Sequence, residues 1–168
     1  LLEAIANGTP LQEFKAAVTE KLETAWGRSI SGRVELIFRN ATQTSYNRGR
    51  WRQITDPDVL AVRPFLMFDA TLDARTSPIC NALSQPKPVT LPASDAFWLS
   101  HQPPLHPNCR SSLRSLTEAQ AKRRGLTEST PTTAPQAGFG GVDPEWQPDP
   151  SHYPPELSQI YAAKAAAR

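Results

Sequence analysis

Residues 73–116 constrain the fold of this 168-residue chain more than any other part of the sequence. They form a long stretch that is interrupted by prolines and contains few apolar side chains. The stretch carries both cysteines, Cys80 and Cys109, and two of the three histidines, His101 and His106. Its middle lacks the apolar periodicity of a regular helix or strand. We therefore expect a long irregular loop that cysteine and histidine side chains hold in place.

Two helices are predicted before this stretch, at residues 10–26 and 34–53, with a shorter helical segment at residues 1–6. The first shows apolar side chains at spacings of three and four, as on the core-facing side of an amphipathic helix: Leu11, Phe14, Val18, Leu22 and Ala25. The second carries Asn40 and Asn47, which we expect to satisfy polar groups on neighbouring segments.

The remaining regular elements are strands and one short helix. Residues 65–70 and 110–116 predict two antiparallel strands, and residues 89–91 are a candidate for a third. Pro64 indicates that the first strand begins there or lies at an edge of the sheet. Thr117 and Glu118 begin a helix that runs to about Arg124 and is closed by Gly125.

These elements predict an α+β fold, with N-terminal amphipathic helices packed on a small antiparallel sheet, a long loop and a proline-rich C-terminal extension. We place the domain at residues 1–126 and the extension at residues 127–168. The extension is linker-like up to residue 141 and then mixes aromatic residues with proline, which favours packing along the body. Its alanine-rich end, residues 156–168, predicts a terminal helix.

The sulfur and imidazole groups suggest a metal site. Zinc takes four ligands, and Cys80, His106 and Cys109 supply three, with His101 or Asp73 as the fourth. Two alternatives stay open: cysteines that only pack, and a Cys80–Cys109 disulfide. The cofactor is accordingly one structural zinc or none.

In each of these cases we expect Cys80 to lie near His106 and Cys109. Asp73 and Arg75, which follow the first strand, should then be hydrogen-bonded to the loop and turned away from solvent. The other residues predicted to support the loop are Trp98, Pro104 and Arg110.

A cluster of arginines in the second helix is the most basic part of the chain: Arg39, Arg48, Arg50 and Arg52. Contact with DNA phosphates or with an acidic partner surface is one interpretation. A solvated helix face, with the arginines paired to Asp56 and Asp58, is the other. The net charge of only +2 favours the second.

Several classes of protein are disfavoured by what the sequence lacks. It contains no apolar run of about 18 residues that would span a membrane, and its start does not resemble a signal peptide. Without an initiator methionine, it is expected to be a fragment of a longer chain. Two cysteines favour folding in a reducing cytoplasm. Because phosphate-loop, zinc-protease and nucleophile-elbow motifs are missing, we expect no enzyme.

Three short motifs carry a resemblance to a known family: D-A-R-T at residues 73–76, D-A-F-W at 95–98 and P-P-L-H-P-N-C-R at 103–110. Together they resemble the phage head morphogenesis proteins of the Mu F type. The family pattern usually ends C-R-C, whereas this chain has Ser111 after Cys109 and Arg110. The family often has Cys or Arg where this chain has Ser77, and His or Cys where it has Cys80.

The resemblance implies a structural minor head protein of a tailed bacteriophage or prophage, acting in head assembly next to the portal, with roles in DNA packaging or ejection. Its partners would be portal and capsid proteins and double-stranded DNA, with no membrane. It would be located in the virion after synthesis in the bacterial host cytoplasm. The alternative from a different class is a small zinc-dependent nucleic-acid-binding module or hydrolase.

Overall fold

The computed structural model describes residues 1–26 and 31–141 together with Pro155 and Gln159, and for residues 20–26 and 31 it describes the backbone alone. The helices in this part of the chain are α1 (Leu2–Ala6), α2 (Leu11–Trp26), α3 (Ser31–Ile54), α4 (Pro57–Val62), α5 (Pro78–Ala82), α6 (Phe97–Ser100) and α7 (Glu118–Arg124). The strands are β1 (Phe65–Asp69), β2 (Thr90–Pro92) and β3 (Ser112–Leu116). The predicted α+β class is confirmed. The predicted helix at 156–168 lies outside the described residues apart from Gln159, as do the side chains of Leu22 and Ala25.

Helix α3 connects the two parts of the molecule. It has 24 residues and is therefore about 36 Å long. Its first half packs on α2, where the Phe14 and Phe38 ring centroids are 5.0 Å apart. Its second half lies on β3, where Arg50 Nε donates to the Leu113 carbonyl at 3.2 Å. None of the helices in the described part of the chain is long and apolar enough to cross a membrane.

The Asp56–Pro57 pair begins a further helix directly after α3. Asp56 Oδ1 accepts a hydrogen bond from the Asp58 backbone N–H at 2.9 Å, and Pro57 occupies the first turn of α4. An aspartate that caps a helix, followed by proline in the first turn, is a favourable helix start. The backbone N–H that proline lacks would have no partner within the helix at that position. Helix α4 therefore turns the chain from α3 into the sheet.

The sheet is antiparallel with the order β2-β1-β3. In β1, Leu66 lies opposite Leu91 of β2 and opposite Ser115 of β3. The two main strands and the third candidate strand are thus confirmed within one or two residues. Strand β1 is central, so of the two positions that Pro64 indicated, the start of the strand is confirmed and the edge is excluded. Pro64 directly precedes the first paired residue, Phe65, where its missing N–H costs no ladder bond.

The two faces of β1 pack against different layers. Leu66 and Phe68 are fully buried in a cluster that also contains Ile54 at the end of α3 and Trp98. Trp98 belongs to residues 84–108, the irregular segment. Met67 points the other way, because side chains alternate along a strand, and packs with α7. The irregular segment therefore packs against the sheet and forms one side of the main core.

Helix α7 follows β3 directly and is closed at both ends. The Thr117 side chain accepts from the Gln120 backbone N–H, and the Gln120 side chain accepts from the Thr117 backbone N–H, which makes a capping box. Gly125 ends the helix with a φ of +89°, a conformation that favours glycine. Both predicted ends of this helix are confirmed.

Residues 127–141 run along the body, although they have the composition of a linker. The backbone N–H of Thr127 donates to the Thr90 carbonyl at 3.0 Å, and that of Gln136 donates to the Leu105 carbonyl at 2.9 Å. At Gly140, φ is +89° and a Cβ atom would clash with the Ser100 carbonyl oxygen, so only glycine fits. This segment is therefore docked, and a boundary after residue 126 stays a prediction.

Candidate functional site

Cys80 is positioned by the start of α5. The Ser77 hydroxyl accepts a hydrogen bond from the Cys80 backbone N–H at 3.1 Å, and Pro78 occupies the first turn. This is a serine cap followed by proline, the same kind of start as in α4. It places Cys80 on the inner side of the short helix, where the residue is 3% exposed.

The second part of the site is the turn from His106 to Cys109. The Cys109 backbone N–H donates to the His106 carbonyl at 3.2 Å, and Asn108 has a φ of +56°, which asparagine tolerates better than most residues. The Asn108 backbone N–H donates to the Asn40 side chain at 2.8 Å. Helix α3 therefore supports the turn, and the expected role of Asn40 is confirmed.

The cysteine and histidine side chains meet between these two supports. The sulfurs of Cys80 and Cys109 are 3.8 Å apart, and the Cys80 sulfur lies 3.1 Å from Nε2 of His106. Both cysteines are free, and the three ligand-type atoms lie within 4.8 Å of one another. The predicted proximity of Cys80 to His106 and Cys109 is confirmed.

The His106 ring has a defined orientation. Its Nδ1 lies 2.7 Å from the Pro107 carbonyl oxygen, which can only accept a hydrogen bond, so Nδ1 carries the proton. In the neutral ring, Nε2 is then left with a lone pair. This lone pair is directed at the Cys80 sulfur and at the Ser77 hydroxyl, 2.8 Å away.

The two thiols differ in acidity because they lie side by side. The pKa of Cys109 is lowered, first by the hydrogen bond from the Cys80 thiol and further by backbone hydrogen bonds at Leu105 and Ser111. The pKa of Cys80 is raised, first because it donates to Cys109 and also because it is buried. The pair therefore loses its first proton readily, from Cys109, and its second with difficulty.

Asp73 holds the same turn from outside. Its carboxylate accepts two hydrogen bonds from the Arg110 guanidinium, at 2.6 and 2.7 Å. This paired geometry, with the Arg75 backbone N–H as a further donor, keeps the pKa of Asp73 well below its usual range. Asp73 is thus bonded to the loop as expected. It is nevertheless exposed, and the Arg75 side chain is 80% exposed, so the expectation that these two residues turn away from solvent was wrong.

The two candidates for a fourth ligand lie elsewhere. The oxygens of Asp73 are taken by Arg110. His101 stacks on Phe97, with ring centroids 3.8 Å apart, and its Nε2 lies 2.8 Å from the Thr133 carbonyl oxygen. Within the described residues, the metal-capable group therefore consists of Cys80, His106 and Cys109.

Two other residues predicted to support the loop do so by burial and hydrogen bonding. Trp98 is fully buried, and its Nε1 donates to the Pro92 carbonyl at 2.9 Å. The Pro104 carbonyl accepts from the Gly140 backbone N–H at 3.0 Å. The irregular segment is thus fixed to the sheet on one side and to residues 127–141 on the other.

The arginines of α3 do not form one surface. Successive residues on a helix are about 100° apart, so Arg39 and Arg50 lie on one side, and Arg48 and Arg52 lie nearly opposite. Arg39 pairs with Glu35 at 2.8 Å, and Arg50 donates to the Leu113 carbonyl and to Gln53. Asp56 caps α4. The predicted single basic patch is therefore divided between two faces.

A groove of about 740 Å³ opens between the first half of α3 and the turn that carries Cys109. Asn108, Cys109 and Arg110 form one wall, while Glu35 and Arg39 contribute to the other. Cys109 is the residue of the cluster that lines this open groove, although it is only 3% exposed.

Two serines in the site were not assigned a role from the sequence. Ser111 is buried, and its hydroxyl donates to the Cys80 sulfur at 3.1 Å. Its carbonyl accepts from the side chains of Gln43 and Asn47 on α3. For Ser77, the following proline is the signal of a helix start; for Ser111, the sequence shows no comparable signal.

Comparisons with known proteins show what the chain is similar to. The family model described as "Phage Mu protein F like protein" matches residues 1–114, more than half of the chain. A protein of Escherichia phage Mu named "Putative capsid assembly protein F" is 28% identical over 75% of this chain and 31% of its own length. The chain thus corresponds to about a third of that relative. No solved structure matches it.

Proposed function

The chain belongs to the Phage Mu protein F like family, and from this we propose that it is a structural protein of a phage head that acts in capsid assembly. The match over residues 1–114 carries the proposal, because this range includes both long helices, strands β1 and β2, and the whole cysteine and histidine cluster. The name of the Mu relative, which refers to capsid assembly, agrees with it.

The finer proposal is that of a minor head protein that contacts the portal from the inner side of the capsid. Its support is the division of the molecule. Among the side chains that the structure describes, those of the sheet and the loop form a well-packed core, whereas few of those on α2 and the first half of α3 are buried against each other. The outer faces of these two helices are therefore available to a large neighbour such as the portal or the capsid shell.

We infer that the site acts in structure and not in catalysis. Both cysteines are almost inaccessible, and the His106 ring is fixed by the Pro107 carbonyl. The alternative function is a zinc-dependent nucleic-acid-binding module or hydrolase. Incubating the zinc-loaded chain with single- and double-stranded DNA tests it: cleavage that disappears in Cys109→Ser would replace the structural proposal.

Contact with packaged DNA is a further part of the proposal, based on Arg48 and Arg52, which share one side of α3. If these two residues contact phosphates, duplex binding should weaken steeply with salt. Changing both to alanine should reduce the slope of log affinity against log salt by about two. Removing two positive charges from α7, at Arg123 and Arg124, is the matched control. A wild-type chain that does not bind duplex DNA at low salt removes DNA from the proposal.

The assembly role is tested in the phage or prophage that encodes the chain, with synthesis in the host cytoplasm and incorporation into the virion as the expected course. Mass spectrometry of purified particles should find the chain at low copy number relative to the major capsid protein. Co-expression with the portal protein of the same phage should yield a co-purifying complex. A chain that is absent from both precursor heads and virions, and whose deletion leaves the yield of infectious particles unchanged, would contradict the role.

A further inference from the structure

The cluster of Cys80, His106 and Cys109 has the donor set and the spacing of a zinc site. We propose that these three side chains bind one Zn²⁺ ion, which crosslinks α5 to the turn that ends the irregular segment. Two thiolates and one imidazole are ligands that zinc prefers. The proposal concerns the residues of this chain and does not depend on its role in the phage head.

The distances fit a tetrahedral ion. Two sulfurs that are each about 2.3 Å from one zinc at a tetrahedral angle are about 3.8 Å apart. The sulfurs of Cys80 and Cys109 are 3.8 Å apart in the structure. The separation of the Cys80 sulfur and His106 Nε2 is 3.1 Å and would have to widen by about half an ångström. The Cys109 sulfur and the His106 nitrogen lie within 4.8 Å of each other, compared with about 3.6 Å in a tetrahedral site.

The histidine is prepared for coordination by its other nitrogen. A metal-bound histidine usually donates its second N–H to a carbonyl or carboxylate, which fixes the tautomer and the ring. Here Nδ1 donates to the Pro107 carbonyl at 2.7 Å, and the Nε2 lone pair points into the cluster. This is the tautomer that coordination through Nε2 requires.

Hydroxyl groups complete the surroundings. The Ser111 hydroxyl donates to the Cys80 sulfur at 3.1 Å, a contact that stabilises a thiolate. The Ser77 hydroxyl lies 2.8 Å from His106 Nε2, beside the expected ion. Because Cys109 lines the groove next to α3, a water molecule can also reach the fourth position. The fourth ligand is thus an oxygen, from Ser77 or from solvent.

Charge also favours the ion. Each cysteine thiol gives up one proton when it binds, so the two thiolates neutralise the two charges of Zn²⁺ and two protons pass to solvent. A neutral unit is compatible with sulfurs that are almost completely buried, whereas an unpaired charge there would be costly. The ion would link two residues that are 29 positions apart, Cys80 and Cys109, which reduces the conformational freedom of the unfolded chain.

Metal content is the first test. The chain is purified under reducing conditions with zinc, dialysed and analysed by elemental mass spectrometry. We expect one zinc per wild-type chain and almost none in Cys80→Ser, Cys109→Ser or His106→Asn. The control is His101→Asn, which alters a histidine of the same loop outside the cluster and should retain the zinc. Wild-type chain without zinc, or His101→Asn losing zinc as the other variants do, would overturn the proposal.

Because a cysteine variant can fail to fold, the affinity of folded variants provides a second test. Competition with a chromophoric chelator should show that Ser111→Ala weakens zinc binding by about 10-fold, through loss of the hydrogen bond to the Cys80 sulfur. Ser111→Cys should strengthen binding, because it places a third sulfur beside the ion. Equal affinities for all three proteins would contradict the proposed site.

The thiols themselves distinguish the remaining alternatives. When Co²⁺ replaces zinc, coordination by two thiolates should give sulfur-to-cobalt charge-transfer absorption, which His101→Asn retains. The metal-free denatured chain should react with two equivalents of a thiol reagent. If it reacts with none, the cysteines form a disulfide; if two thiols react but neither zinc nor cobalt binds, they only pack. Either result overturns the metal site.

Discussion

The sheet body, residues 65–126, and the helical pair, α2 with the first half of α3, are held together in different ways. Among the described residues, the main core cluster of the body contains twelve buried side chains, Ile54 of α3 included, whereas that of the helical pair contains three, Ala4 of α1 included. The body nevertheless includes most of the irregular backbone. Among these residues, the larger core therefore lies in the part of the molecule that has the more irregular backbone.

The reason is that an irregular segment has to satisfy its polar backbone groups individually. A helix satisfies its own, so the helical pair needs few outside contacts. In the sheet body, the Ser111 carbonyl accepts from Gln43 and Asn47, and the Leu113 carbonyl accepts from Arg50. Polar side chains in the second half of α3 thus hold the body together with the apolar Ile54, whereas Val34 and Phe38 in its first half pack in the helical pair.

The largest predicted effect is in the body, at Trp98. It is fully buried and its indole N–H donates to the Pro92 carbonyl. Trp98→Ala should lower the free energy of unfolding by about 3–5 kcal/mol. The control is the next residue, Leu99, which is 73% exposed. Leu99→Ala should therefore change the free energy of unfolding by less than about 0.5 kcal/mol. Denaturant unfolding measures both, and equal effects would mean that the irregular segment is not part of the core.

A smaller effect is predicted in the helical pair, at Phe14. Its ring contacts Phe38, but its cluster is small among the described side chains, and Phe14 itself is 9% exposed. Phe14→Ala should therefore lower the free energy of unfolding by about 3 kcal/mol, at the lower end for a buried phenylalanine. The exposed neighbour Gln12 provides the control variant, Gln12→Ala. A cost under about 0.5 kcal/mol at Phe14 would show that α2 does not face a core.

The sequence predicted the parts of this fold that are long or strongly patterned. Helices α2, α3 and α7 and the strands followed from apolar spacing, turn residues and caps. Helices α5 and α6 were missed because they have five and four residues, too few to show a helical period. They are the elements that position Cys80 and Trp98, so the sequence predicted the composition of the site better than its supports.

The errors in the site have physical causes. Arg48, Arg50 and Arg52 alternate with other residues, a spacing that gives one face on a strand but two opposite faces on a helix. His101 was a candidate ligand because it is close to His106 in sequence. It lies four residues after Phe97, however, and on a helical turn this spacing brings the two rings together. Sequence distance alone does not show which of two histidines a turn directs toward a cysteine.

A third prediction separates the two regions by their dynamics. Cys109→Ser removes one of the groups that hold the irregular segment, so amide hydrogen exchange in residues 84–108 should become at least about 10-fold faster. This corresponds to a decrease of about 1.4 kcal/mol in the free energy of local opening. Exchange in α2, measured in the same experiment, should not change. Faster exchange in both regions would mean that they unfold as one unit, and the comparison would fail.

The smallest predicted effect is that of the ion pair between Asp73 and Arg110 at the surface of the body. The folded-state pKa of Asp73 is lowered, so its contribution to stability is fully present above the pKa of an unfolded aspartate, about 3.9. The contribution is lost as the pH falls through the lower folded-state value. Asp73→Asn should thus lower the melting temperature slightly at neutral pH, and the difference from wild type should shrink in acid.

Since both partners of this pair are partly exposed, salt should also reduce the difference. The test is a double-mutant cycle with Arg110→Gln, followed by thermal unfolding at neutral and at acidic pH. If Asp73→Asn is as destabilising in the Arg110→Gln background as in the wild type, the pair contributes no coupling. The body would then depend on its buried core and on the Cys80, His106 and Cys109 cluster, and the contrast with the helical pair would be due to burial alone.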